Sequence, residues 1–146
     1  MKYLLLVASC FCVAYCANTM CWTVDQIADQ ILLETDHNKD GVLQMSELTD
    51  EILTWGVNNA SCLTFHAFTT YWVAHYHDHH DTAHRFFSNL DQNGDEHLCL
   101  LDIAVQIVTY DNHPTDGQVQ PAEFKAFLHA VHPDSHQNGG HGHGCQ

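Results

Sequence analysis

Apolar positions along this chain recur at helical spacing and are interrupted by short polar segments. Val24, Ile27, Ile31 and Leu32 form one stripe with the period of an amphipathic helix. Thr23 stands before it and Gln26 follows three residues later, the pattern of a capping box. Leu48, Ile52 and Trp55 predict a second helix ended by Gly56, and Phe65, Phe68, Trp72 and Tyr76 predict a third. Asp78 is expected to cap a fourth helix carrying Phe86, Phe87 and Leu90. The aromatic residues on these stripes are expected to fill a core rather than to hold a cofactor. The predicted fold class is all-α.

The pattern is internally repeated with a period of about 55 residues. Asp36 to Leu43 aligns with Asp91 to Leu98. Leu48, Ile52, Leu53, Thr54 and Trp55 align with Ile103, Ile107, Val108, Thr109 and Tyr110. With one residue inserted, Leu63 to Phe68 aligns with Val119 to Phe124. Each unit is read as helix, loop, helix, loop, helix. Unit 1 spans 18–77, unit 2 spans 78–133, and a Gly/His-rich tail occupies 134–146. The tail is expected to be mobile unless Cys145 ties it down.

The first polar segment carries chemistry. Asp36, Asn38 and Asp40 alternate, Gly41 follows, and Glu47 stands at the twelfth place. This is D-x-[DN]-x-[DN]-G-x5-E, with apolar Leu43 at the eighth place. The alternating oxygens converge as the chain curls, and Gly41 permits the sharp turn. Val42 would offer its backbone carbonyl, Gln44 would act through water, and Glu47 would close the shell with both oxygens. On these residues the chain resembles the EF-hand superfamily, over about residues 23–131. The resemblance implies EF-hand-like helix-loop-helix repeats that bind calcium at one to three sites.

Three other loops depart from the pattern. The third in chain order, Asp91 to Asp102, keeps Asp91, Asn93 and Asp95, with His97 at the carbonyl place. There Glu96 replaces the turn glycine, at a place where positive φ costs energy. Asp102 replaces the closing Glu on a shorter stem, so weaker binding is expected. The fourth, Asn112 to Glu123, has Asp116, Gly117, Gln118, Val119 and Glu123 in register, but Pro114 at the third place lacks a side-chain oxygen. Asp111 contributes if that loop is one residue longer. The second, Gly56 to Ala67, has Ala67 at the closing place and is expected to bind nothing. Within each unit one helix must leave one loop and enter the next, so loop pairing is expected between units.

Charge and cysteines set the compartment. Residues 1–17 read as a secretory signal, with Lys2 before the apolar run Tyr3 to Tyr15 and small residues near Ala17. Four Lys and Arg against 18 Asp and Glu give a formal charge of −14, which becomes −15 once Lys2 leaves with the signal. This excess disfavours nucleic acid and anionic membrane and suits cations. Cys21, Cys62, Cys99 and Cys145 remain, which suggests two disulfides in any of three pairings. No two have zinc-type C-x2-4-C spacing. Asn59-Ala60-Ser61 is a glycosylation sequon in a secreted chain.

Fourteen histidines form a second chemical signal. His75, His77, His79, His80 and His84 cluster between the units, and His136, His141 and His143 lie in the tail. On a helix His80 and His84 share a face, a geometry that suits Zn2+ or Cu2+. The expected function is therefore a secreted acidic calcium-ion-binding protein without catalytic residues, associated with an extracellular matrix or a biomineral surface. The alternative is a histidine-based zinc or copper carrier. Oligomeric state is not legible.

Overall fold

The computed structural model describes residues 21–55, 62–112 and 115–136. Six α-helices occur among them: α1 (Val24–Thr35), α2 (Met45–Thr54), α3 (Phe65–Tyr76), α4 (His80–Leu90), α5 (Leu100–Ile107) and α6 (Pro121–Val131). Four very short strands interrupt them: β1 (Leu43–Gln44), β2 (Cys62–Thr64), β3 (His97–Cys99) and β4 (Gln118–Val119). The chain is mostly helical, as its periodicity predicts.

Five of the six helix starts have a local side-chain cause. Thr23 Oγ1 accepts the Gln26 N–H and Gln26 Oε1 accepts the Thr23 N–H, which completes the predicted capping box of α1. At α2, α5 and α6 the third helical residue is Glu47, Asp102 or Glu123. Each returns its carboxylate to the N–H of the capping residue, Gln44, Cys99 or Gln120. The acid that would close a loop thus also starts the next helix. Helix α3 has Ala67 in that place, and Thr64 Oγ1 caps it alone by accepting the Ala67 N–H. Pro121 opens α6 at a position where a missing N–H costs nothing.

Strands β1 and β4 pair antiparallel, with Leu43 opposite Val119. Strands β2 and β3 pair antiparallel, with Leu63 opposite Leu98. All four of these apolar side chains are buried. The pairing crosses from the first half of the chain to the second, and among the described residues none lies inside either half. Helix α3 packs along α4, α1 along α6, and α2 meets α5. One core results, built from Ile27, Ile31, Leu48, Ile52, Phe68, Trp72, Phe86, Phe87, Phe124 and their neighbours. Phe68 and Trp72 stack at 5.3 Å, and Phe86 leans on Trp72 at 4.7 Å. The predicted aromatic stripes are therefore core.

One element differs from the sequence expectation. Asp78 does not cap α4, whose N-cap is His79. Its carboxylate is buried, and Oδ2 accepts the Trp72 indole N–H at 2.9 Å and pairs with His132 Nε2 at 3.0 Å. Oδ1 takes the His79 N–H at 2.7 Å. A buried carboxylate is stable only when so supplied, and here the supply comes from α3 and from the end of α6. Of the tail, residues up to His136 are described. Residues Pro133–His136 form a 3-10 turn, and Asp134 accepts from Thr82 on α4.

Candidate calcium-binding loops

The first loop is shaped by its own side chains. Asp36 Oδ1 accepts the Asp40 N–H at 3.1 Å and Oδ2 accepts the Gly41 N–H at 3.0 Å. Asn38 Oδ1 takes the Asp40 N–H at 2.7 Å, and Asp40 Oδ1 takes the Val42 N–H at 3.0 Å. Glu47 is buried and spans the ring, accepting the Asn38 N–H on Oε1 and the Gln44 N–H on Oε2, each at 3.2 Å. Three oxygen-bearing side chains and a closing carboxylate are thereby held on one curl of backbone. That is the donor set a hard oxygen-seeking cation requires. Gln44 Nε2 donates to Asp40 Oδ2 at 3.0 Å, so its amide sits over the same curl.

The fourth loop has the same architecture with one residue more. Asp111 Oδ1 accepts the Asp116 N–H at 3.1 Å and Oδ2 accepts the Gly117 N–H at 2.8 Å. These are the bonds of Asp36, displaced by one position. Asp111, which is buried, therefore takes the first place that the sequence assigned to Asn112. Asn112 is exposed, and its backbone N–H donates to Glu123 Oε1 at 2.9 Å. Glu123 Oε2 accepts the Gln120 N–H at 3.0 Å, and Asp116 Oδ1 accepts the Gln118 N–H at 3.0 Å. The extra residue was visible in the sequence as an acid one place upstream. Pro114 lies outside the described residues.

The third loop begins well and closes poorly. Asp91 accepts the Gly94 and Glu96 N–H groups, each at 2.9 Å, and Asn93 and Asp95 repeat the bonds of Asn38 and Asp40. Asp102 receives the Cys99 N–H at 2.9 Å but does not reach Asn93, whereas Glu47 reaches the matching Asn38 and Glu123 reaches Asn112, the second residue of its loop. The stem one methylene shorter is the physical reason. His97 is exposed, and its Nδ1 lies 2.8 Å from the Asp95 carbonyl oxygen.

The glycine argument changes on the structure. Glu96 does take positive φ, +62°, but Lys39 in the first loop takes +60°. The glycines Gly94 and Gly41 hold the other left-handed place in each loop, at +71° and +84°. The two loops exchange the places of one glycine and one strained residue. The cost of Glu96 is therefore matched by Lys39, and the difference between the loops lies at Asp102.

In the second loop only Cys62 onward is described, and Asn59 lies outside the described residues. Ala67 stands in the closing place, as expected. Cys62 and Cys99 form a disulfide across β2 and β3. Cys21 is also disulfide-bonded, and Cys145 lies outside the described residues.

Among the described residues the histidines have separate partners. His80 and His84 are exposed on α4, and His84 sits edge-on to Phe65 at 4.5 Å. His75 pairs with Glu34, His79 with Cys21, and His132 with Asp78. Among the described residues no three His, Cys, Asp or Glu side chains are drawn together as a metal cluster. An EF-hand-type ligand set differs from such a cluster, because it also uses Asn and backbone carbonyl oxygens. No described helix is long and apolar enough to cross a membrane. Compared with family models, curated proteins and solved structures, the chain matched none.

Proposed function

We propose that this chain is a secreted, acidic calcium-ion-binding protein built from two tandem EF-hand-like units. Exchanging α1 with α4, α2 with α5 and α3 with α6 converts the β1–β4 pair into β3–β2. It also converts the α1–α6 packing into α4–α3. This approximate twofold relation supports the two-unit description. The observation that carries calcium is the matched pair of closing acids. Glu47 and Glu123 are both buried, each bridges the two ends of its loop, and their loops are joined by β1 and β4. The first and fourth loops are the leading sites, the third is weaker, and the second carries none. Asp36, Asn38, Asp40, Glu47 and the Val42 carbonyl would serve the first site. Asp111, Asp116, Glu123 and the Gln118 carbonyl would serve the fourth.

With a charge near −15 and loops of this kind, a matrix or mineral surface rich in calcium is the fitting environment. Extracellular EF-hand modules bind at ~10⁻⁴–10⁻³ M, so in ~millimolar calcium a site at the tight end would stay filled and act as structure, and one at the weak end would be about half filled. The test is a calorimetric calcium titration of the secreted, demetallated chain beside Glu47→Gln and Glu123→Gln. Two stronger sites, one lost with each substitution, support the proposal. Calcium heat that is absent, or untouched by both substitutions, rejects it and makes zinc and copper the next ions to titrate.

A further inference from the structure

The third loop is pinned at a point that has no counterpart in the first and fourth loops. Cys99 ends β3, serves as the N-cap residue of α5, and is bonded through sulfur to Cys62 on β2. Its backbone N–H is also the one group that the Asp102 carboxylate accepts among the described residues. Glu47 and Glu123 each accept an N–H near the start of the loop and a second at the helix start. The closing acid of the third loop is therefore positioned through Cys99, and Cys99 is held by Cys62.

The strand across from it supplies little else. The second loop has Ala67 in the closing place and is assigned no calcium, so no ion orders it. Strands β2 and β3 pair over three residues, with Leu63 and Leu98 buried at the centre. On the other side of the fold, β1 and β4 join two loops with complete acids, so each ion there would order the strand on which the other loop leans. The Cys62–Cys99 bond stands where that second ion is missing. A loop already held in its binding shape loses less conformational entropy when the ion enters, and binds it more tightly.

From this placement we propose that the Cys62–Cys99 disulfide is a redox control on the third loop: its reduction weakens calcium there and leaves the first and fourth loops unchanged. The inference rests on the calcium reading of the loops. Both cysteines are half-buried, so a dithiol reductant can reach the bond. One thiolate of the dithiol attacks a cysteine sulfur, and its second thiolate then breaks the mixed disulfide. Two electrons and two protons pass to Cys62 and Cys99, which become thiols, and the dithiol leaves as its cyclic disulfide. The coupling is reciprocal. An ion that binds the oxidised chain more tightly makes the bond harder to reduce by the same factor.

Calcium is titrated into the full secreted chain with its disulfides intact, and into Cys62→Ser/Cys99→Ser. Three sites are expected in the first. In the second, the weakest site alone should lose about tenfold in affinity, a common size for such coupling. Only two sites in the oxidised chain, equal affinities in both chains, or equal weakening of every site would each overturn the proposal and leave calcium at the first and fourth loops standing. No calcium binding in either chain removes that reading and the proposal with it. Because the variant can fold poorly, the unmodified chain supplies a second measurement. It is equilibrated with reduced and oxidised dithiothreitol, in saturating calcium and in chelator. Thiols are trapped by alkylation and the Cys62 and Cys99 peptides are read by mass, since Cys21 is disulfide-bonded too. A tenfold coupling moves the midpoint about 30 mV more negative in calcium. The shift should persist in Glu47→Gln and disappear in Asp95→Asn, which removes a ligand charge from the third loop. An unmoved midpoint, or a shift kept in full by Asp95→Asn, would overturn the proposal.

Discussion

The β1–β4 and β2–β3 pairs occupy corresponding places in the fold and are held by different chemistry. Beside β1 and β4, buried Glu47 and Glu123 tie each loop to its following helix, and the two loops meet through backbone pairing that sets Leu43 opposite Val119. Beside β2 and β3, one loop has Ala67 in place of the acid, the other has short Asp102, and a Cys62–Cys99 disulfide joins the strands. Where acids have been lost or shortened, a covalent bond holds the pair. Where they are complete, a cation can supply the linkage. On the proposed function the first arrangement would respond to calcium, and the second responds to reduction of its disulfide, so the two can be broken separately.

The largest effect is expected on the disulfide side. Cys62 and Cys99 are 37 residues apart, and opening a closure of that length should cost about 4 kcal/mol of stability. A Cys62→Ala/Cys99→Ala double variant should therefore unfold at much lower urea, in calcium and in chelator alike. If its midpoint matches that of the unmodified chain, β2 and β3 are held by packing alone. Next comes Glu47→Gln. At a calcium concentration one hundred times the site's Kd, a bound site adds about 2.7 kcal/mol. The variant should lose that increment in calcium and show a much smaller change in chelator. Equal losses in both conditions would make Glu47 a helix cap rather than a calcium ligand.

How much of this contrast was readable beforehand depends on the physics involved. The helices followed from period and caps, because Thr23/Gln26 and the apolar stripes act locally. The crossing of strand pairs followed from spacing, since one helix cannot serve two loops that also pair with each other. The curl of the first loop was legible because Asp36, Asn38, Asp40 and Glu47 hold it through short-range bonds to backbone N–H groups. The sequence left the first place of the fourth loop open between Asn112 and Asp111, because a thirteen-residue loop keeps its bonding pattern while shifting its count, and the bonds of Asp111 match those of Asp36. Asp78 was taken for a cap because its partners, Trp72 and His132, include one brought by tertiary folding from far along the chain. The choice of Cys62 with Cys99 could not be read from the sequence, because disulfide connectivity depends on which strands meet. The cost assigned to Glu96 missed that Lys39 carries the same φ, which becomes visible only when both backbones are compared.

That exchange of strained places yields a sharper test. If Asp102 alone limits the third loop, Asp102→Glu should extend the carboxylate to the Asn93 N–H and tighten calcium binding there. About tenfold is expected, equivalent to ~1.4 kcal/mol. Glu96→Gly, by contrast, should change calcium affinity little, since the place it relieves has a strained counterpart in the stronger loop. A calcium titration resolving the third site in both variants decides between them. A larger gain from Glu96→Gly would return the weakness to the backbone.

The smallest effect lies where α1 meets α6, flanking the acid-closed loops. Lys125 pairs with Asp29 at 2.6 Å and His129 with Asp25 at 3.0 Å, exposed contacts of small worth each. The hydrogen bond with His129 is the first cause that holds the Asp25 carboxyl below its ordinary value of 3.8; desolvation opposes it, and the charges of His129 and Lys125 add to it. A carboxylate whose folded pKa is depressed stabilises the fold above its unfolded pKa and loses that contribution as pH falls through the folded value. Asp25→Asn should therefore lower stability slightly at pH 5 and above, and the gap to the unmodified chain should close as pH drops below 3.8. The Cys62–Cys99 bond touches neither Asp25 nor His129, so in the double cysteine variant Asp25→Asn should open the same acid-side gap. Urea midpoints at closely spaced pH values between 2.5 and 6 would measure it, provided the chelated form is used throughout. A gap that stays constant down to pH 2.5, or that closes well above pH 4, would show that Asp25 and His129 are neighbours without being thermodynamically coupled.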